Sequence, residues 1–352
     1  MSIIRTVLGD IDASLLGVCY AHEHIVIDRS FVTQQYPDFL LEDVARITEE
    51  LSTFYCAGGR AMVDSMPCGG GRNVVKLASV SRQSGVHILC PTGLHQAKYY
   101  PHGHWITRVN LEQLAQIFVD EIEQGIDAND TNGPNVHRTV HQAGLIKVAS
   151  DLNAIGAREQ KIFEAAAAAH TKTGVPIMTH TEQGTAAMMQ IDLFERCGVP
   201  PSSIVISHLD RKPDIAYHRE VLSRGVFLEY DSAFRWKSQE NPTRDLLIEL
   251  ASLGFLRQLM LGMDAARSSY WIAFGGSPGL TFLLDTFSRQ LRDAGFTDEG
   301  LRAIFIDNPA RAYSLTLAHL TSQKSNLSES NSFIEPRLPR YEANINPGEV
   351  ER

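Results

Sequence analysis

The sequence predicts an α/β fold, a (β/α)8 TIM barrel followed by a flexible C-terminal extension. Three observations predict it. Eight short apolar runs recur along the chain, they are rich in Val, Ile, Leu and Met without clean alternation, and amphipathic stretches separate them. Parallel strands read this way because helices bury both faces of their sheet. An open doubly wound sheet is the alternative. No G-x-G-x-x-G opens a helix after the first strand, and "CGGGRN" (68–73) has the wrong spacing for a dinucleotide or a phosphate loop.

In chain order the expected strands are "VCYAHEH" (18–24), "RAMVDSMP" (60–67), "VHILCPTG" (86–93) and "GLIKVAS" (144–150). They continue as "PIMTHT" (176–181), "SIVISHLD" (203–210), "GVFLEYD" (225–231) and "QLMLGMD" (258–264). Helices are expected over 40–55, 110–125 and 157–174, the last stopped by Gly174 and Pro176. From about Thr316 the chain turns polar, rich in Ser, Asn and Pro, and loses its period. Residues 1–315 therefore read as one barrel domain, and 316–352 as a flexible tail.

The length of 352 residues suits two average domains or one large barrel. A net charge of −9, spread along the chain, argues against nucleic acid or an anionic membrane as a partner. No run approaches a membrane span and "MSIIRTVLGD" has no secretory pattern, so a cytoplasmic location is expected. Five scattered cysteines without a CxxC read as small buried residues in a reducing compartment.

In a barrel the chemistry gathers at the C-terminal ends of the strands. Those ends carry His22 and His24 on the first strand, Lys147 on the fourth, His180 on the fifth, His208 on the sixth and Asp264 on the eighth. His22 and His24 are two apart, which puts both on one face of a strand. Any one of these six alone is most simply a strand-end polar residue meeting water. Together they are a sound inventory for two divalent metals, since zinc-type ions take imidazole nitrogen and carboxylate oxygen. Two such ions can share a hydroxide that forms near neutral pH. Lys147 looks out of place beside cations. Its apolar strand lowers an amine's pKa, and a neutral amine can add carbon dioxide to become an anionic carbamate, an N6-carboxylysine that bridges metals.

The H-x-H, "GLIKVASD", "GVPIMTHTEQG", "IVISHLDR", "LGMDAARSSY" and "DNPARAYSL" (307–315) together resemble the phosphotriesterase-related family of the amidohydrolase superfamily. The likeness runs in order over roughly residues 5 to 315. It implies a barrel with a binuclear metal centre, usually zinc. By that resemblance His22, His24 and Asp264 hold one metal, His180 and His208 hold the other, and carboxylated Lys147 bridges them with a hydroxide. Some relatives place Glu at the bridging position, where this chain has Lys. Asp264 would also accept the hydroxide's proton and pass it to the leaving group. Glu23 and Asp210 adjoin ligands and read either as their hydrogen-bond partners or as surface ion-pair residues.

Substrate choice should lie in the loops that follow the strands. "DSAFRWKSQ" (231–239) and "DAARSSYW" (264–271) offer Lys237, Arg267 and Tyr270, with Arg235 in reserve. Arg267 and Tyr270 share a face of any helical turn, and the three donor types suit a phosphate monoester. Ordinary solvated charge beside packing aromatics is the plain alternative. A subset of the family resembling lactonases of phosphorylated sugar lactones carries the same Lys and Arg-x-x-Tyr, and "GGSPGLTFLL" (275–284) also looks like that subset. The resemblance thus implies a small-molecule substrate, a phosphorylated sugar lactone opened by a metal-bridging hydroxide. The loop "GLHQAKYYPHGHW" (93–105) could reach substrate hydroxyls through His95, Lys98, Tyr99, His102 or His104, or be a solvated lid, and Asp231 is a further candidate contact. Two rivals stay open: hydrolysis of an uncharged ester, amide or organophosphate, and a non-catalytic phosphosugar-binding barrel. A homodimer is also left open.

Overall fold

The structure, a computed structural model, describes residues 2–133, 135–236 and 240–316. The tail from 317 onward and Lys237 lie outside the described residues. Eight parallel strands form the barrel: Cys19–Glu23, Ala61–Asp64, His87–Leu89 continued by Pro91–Gly93, Leu145–Ala149, Ile177–His180, Ile204–Ser207, Phe227–Tyr230 and Leu259–Leu261. Each falls inside an apolar run that predicted it. The third run is broken at Cys90, so its first half pairs with the second strand and its second half with the fourth. An antiparallel hairpin, Ser2–Thr6 and Gly9–Asp12, precedes the barrel. Leu315 and Thr316, at the start of the expected tail, pair with Ile3 and Ser2 of that hairpin.

The helices start where a side chain can take the free N–H groups of the first turn. Val44–Cys56 begins four residues later than its apolar pattern because Asp43 accepts from Ala45 and Arg46. Leu111–Glu123 opens on a reciprocal Asn110–Gln113 capping box. Ala157–Thr173 ends on Gly174 at φ +73°, a left-handed conformation that costs glycine little.

Inward rows of the strands form two levels. The lower level is apolar and includes Ala61, Leu89, Leu145, Met178, Val205, Phe227 and Met260, plugged by Ile4 and Leu16 from the N-terminal segment. Two residues further along, the same faces turn polar: Leu145 gives way to Lys147, Met178 to His180, Val205 to Ser207 and Phe227 to Glu229. The first strand departs from this rule. Cys19 and Ala21 face the interior, and an irregular register between Tyr20 and Glu23 turns His22 inward as well.

The barrel closes between the first and eighth strands. Met263 and Asp264 donate backbone N–H bonds to the His22 carbonyl at 3.2 and 3.0 Å. The buried Glu23 carboxylate shares the Met263 N–H, at 2.8 Å, and takes a further one from Ala265 at 3.2 Å. Gly262 permits this approach, since a Cβ there would stand 2.6 Å from the His22 backbone. Glu23 is therefore a buried seam residue and not a surface ion-pair partner. Cys19, Cys68 and Cys90 are buried as expected, whereas Cys56 is exposed at the end of its helix and Cys197 is half-buried; all five are free. Among the described residues no helix is long and apolar enough to cross a membrane.

Replacing Glu23 with Ala leaves the Ala265 N–H unpaired, at about 1–3 kcal/mol, and leaves Met263 only its longer bond to the His22 carbonyl. The urea midpoint of Glu23→Ala should fall by an amount equivalent to at least ~1 kcal/mol. Glu23→Gln, which keeps one acceptor, should fall less. An unchanged midpoint in Glu23→Ala would remove the seam from the account of stability.

Candidate active site

A cavity of about 450 Å³ opens at the C-terminal end of the barrel, lined by His22, His24, His180, His208 and Asp264 on one side. Arg211, Arg235, Arg267 and Tyr270 line it as well, the first two in contact with Asp264. Lys147 is buried and not on the cavity surface. The structure thus brings seven of the eight described residues singled out by the sequence to one cavity, with Lys147 buried against Met178 of the fifth strand.

His22, His24 and Asp264 each offer a ligand atom within 4.8 Å of the others. Asp264 Oδ1 stands 3.3 Å from His24 Nε2 and 3.6 Å from His22 Nε2. The His180 and His208 ring centres are 4.4 Å apart, and His208 is 4.7 Å from His22. Two of these residues adopt backbone conformations that L side chains rarely take, His208 at φ +71° and Asp264 at φ +48°. Both turn the chain sharply at a strand end and aim a polar side chain back over the barrel mouth.

Carboxylates set the histidine tautomers. His22 Nδ1 lies 3.1 Å from Glu229 Oε2 and 3.2 Å from Ser207 Oγ, which leaves Nε2 toward Asp264. His208 Nδ1 bonds Asp231 Oδ2. Glu229 and Asp231 are two apart on the seventh strand, so one face of that strand supplies both acceptors. Asp231 was expected as a sugar contact; it is fully buried, holding His208 and accepting from Arg211 at 3.0 Å. Asp210 is likewise buried, accepting from Ser232 N–H and the Thr243 hydroxyl, which rules out a surface role. Glu229 and Arg211 were not anticipated. The alternation in "FLEYD" carried the signal for Glu229. Nothing local marked Arg211.

Burial alone would raise the Asp264 carboxyl, but His24 and the Arg211 and Arg235 guanidiniums hold it well below the usual carboxylate range. Arg211 Nη2 donates to Asp264 Oδ2 at 2.7 Å and Arg235 Nη2 to the same oxygen at 3.2 Å. Asp264 therefore turns one oxygen to the histidines and the other to two cations. Burial lowers the Lys147 amine to about 8, against the pull of Glu229, Asp264 and Asp231. Its Nζ finds one neighbour within hydrogen-bond reach among the described residues, the weak acceptor Met178 Sδ at 3.2 Å.

Divalent cations fit this donor set. His24 Nδ1 is buried without a partner among the described residues, the other rings have one nitrogen fixed by a carboxylate, and Lys147 is an amine that burial favours as neutral.

Arg267 and Tyr270 do face the cavity together, brought there by the short turn Ser268–Tyr270. Arg267 pairs with Asp38 and lies over the Phe39 ring, both partners partly exposed. Tyr270 packs edge-on against Phe234 at 4.9 Å. From the 93–105 loop, His95, Tyr99 and Tyr100 line the cavity, Lys98 pairs with Glu182, and His102 is exposed.

In metal-free protein the buried imidazoles favour the neutral form. Burial lowers His22 and His208 well below the usual value, and lowers His180 from 6.5 to about 4. A native pKa below the unfolded one gives stability that is present above 6.5 and lost as pH falls toward about 4. The urea midpoint of metal-free protein should therefore drop between neutral pH and pH ~5, and His180→Asn should flatten that slope. A flat wild-type profile would contradict the neutral-imidazole assignment.

The profile of the Phosphotriesterase family matches residues 2–313. A phospho-furanose lactonase from Mycoplasmopsis synoviae is 33% identical over 321 residues, covering 87% of this chain and 90% of that one. Among solved structures, an amidohydrolase from Mycoplasma synoviae matches with a TM-score of 0.85 at 30% identity, covering 93% of this chain and 98% of that chain. A lactonase from Listeria monocytogenes matches with a TM-score of 0.82 at 28% identity, covering 89% and 99%. With the profile spanning nearly every described residue, the chain belongs to the phosphotriesterase family.

Proposed function

We propose that this protein opens a phosphorylated sugar lactone by hydrolysis at a binuclear metal centre. The chain is a hydrolase of ester bonds, and the name of its phospho-furanose lactonase relative agrees with a lactone substrate. The observation that carries the reading is the cavity itself, which gathers three guanidiniums, Arg211, Arg235 and Arg267, beside a cluster of histidines and the Asp264 carboxylate, with the Arg267 partner Asp38 partly exposed. Such a set of cations favours an anionic substrate.

In this reading His22, His24 and Asp264 would hold one divalent ion, taken as zinc, His180 and His208 would hold the second, and carboxylated Lys147 would be an anionic ligand shared by both. Bound there, the ions supply Lewis acidity toward the lactone carbonyl and an acidified water as nucleophile. The Lys147 ammonium gives up one proton to become the reactive amine, and that amine loses a second on adding carbon dioxide, so a buried cation becomes an anion with two protons released to solvent. Asp264 takes the proton released during attack and delivers it to the ring oxygen as the acyl C–O bond breaks. Arg267 and Tyr270, with Lys237 outside the described residues, anchor the phosphate away from the reacting carbonyl. The Arg267–Asp38 pair is exposed enough to exchange Asp38 for a phosphate oxygen at small cost.

Val32, Phe39 and Trp236 also line the cavity, which favours a second reading, an uncharged lactone or ester. Kinetics separate the two. Arg267→Ala and Lys237→Ala should each cost roughly 10- to 150-fold in kcat/KM for a phosphorylated lactone, from about 1.5–3 kcal/mol per charge-assisted bond. Both should leave an unphosphorylated lactone nearly unchanged. No loss on either substrate would favour the uncharged reading, and parallel losses on both would mark structural damage.

Asp264→Asn should lower kcat by at least ~10²-fold, more than it alters substrate affinity. Lys147→Ala should lose activity and regain part of it with added short carboxylic acids. Retention of full turnover in either variant would end that residue's assignment.

A further inference from the structure

Glu182, in the short turn Glu182–Gly184 after the fifth strand, gathers three donors on one oxygen. Gln96 Nε2 at 2.8 Å, Lys98 Nζ at 2.9 Å and His180 Nε2 at 3.4 Å all meet its Oε2. Gln96 and Lys98 belong to the loop that brings His95, Tyr99 and Tyr100 to the cavity wall. The buried Gln96 amide also donates to the Ser150 carbonyl at 2.8 Å, tying that loop to the end of the fourth strand. The loop touches His180 directly too, with the His95 ring centre 4.8 Å away and Tyr99 edge-on to His95 at 4.5 Å.

We infer that Glu182 is a positioning residue that couples the seating of this substrate-facing loop to the hold of His180 on its metal. The inference rests on the reading of His180 as a ligand. A neutral imidazole carries one N–H, and a carboxylate facing Nε2 keeps the proton there. Nδ1, which has no hydrogen-bond partner among the described residues, is then the lone pair left for a cation, made more basic by the carboxylate behind the ring. Lys98 and Gln96 keep that carboxylate in place. When the loop lifts, Glu182 loses two of its three donors and is free to turn from the ring. A substrate that presses the loop onto the cavity therefore tightens the second metal position, and an empty cavity leaves it more exchangeable.

Zinc affinity by chelator competition, together with hydrogen exchange of residues 94–100 in metal-free protein, tests this without reference to turnover. Glu182→Gln should weaken the looser zinc roughly 10- to 100-fold, the usual effect of losing a ligand's hydrogen-bond partner, and should speed exchange in the loop. Lys98→Met, a change at a half-exposed side chain, should speed exchange similarly and weaken zinc by a smaller factor, about threefold or more. His180→Asn should abolish the same site. Loss in His180→Asn with wild-type affinity in Glu182→Gln would overturn the inference while leaving the ligand reading intact. No loss in His180→Asn would overturn the ligand reading itself. Faster loop exchange in Lys98→Met with unchanged zinc affinity would overturn the coupling.

Discussion

Closure of the barrel between its first and last strands is the constraint on which the site depends. His22 offers its carbonyl to Met263 and Asp264, and Glu23 offers its carboxylate to Met263 and Ala265. Those bonds decide where Asp264 stands. Its Oδ1 comes within 3.3 Å of His24 because two strands separated by more than two hundred residues share one seam. An unpaired backbone N–H in that interior would be costly, so the seam is held in one register and the site inherits its precision.

Charge is balanced in the same compact way. Asp264 faces histidines with one oxygen and Arg211 and Arg235 with the other, and Asp231 shares Arg211 while holding His208. Each imidazole that has a carboxylate on one nitrogen presents the other nitrogen in a fixed direction. The seventh strand contributes none of the residues read as metal ligands, yet its Glu229 and Asp231 orient two of them. The same cations that hold Asp264 ionised also line the cavity, so one pair of arginines supports the carboxylate and sets the charge at the cavity surface.

The sequence by itself determined the barrel and the floor of the site. Hydrophobic periodicity is local, so the eight runs placed eight strands, and strand ends are where a barrel puts its polar residues. His22, His24, Lys147, His180, His208 and Asp264 were legible for that reason. Only the tertiary structure decided what their neighbours do. Asp231 holds a ring where a sugar contact was expected, Glu23 closes a seam, Arg211 reaches Asp264 from a turn after the sixth strand, and Arg267 is engaged by Asp38. These contacts join residues far apart in the chain. A window of sequence records which side chain is present and which face of its strand it shares, and it carries no term for the partner that the fold brings opposite.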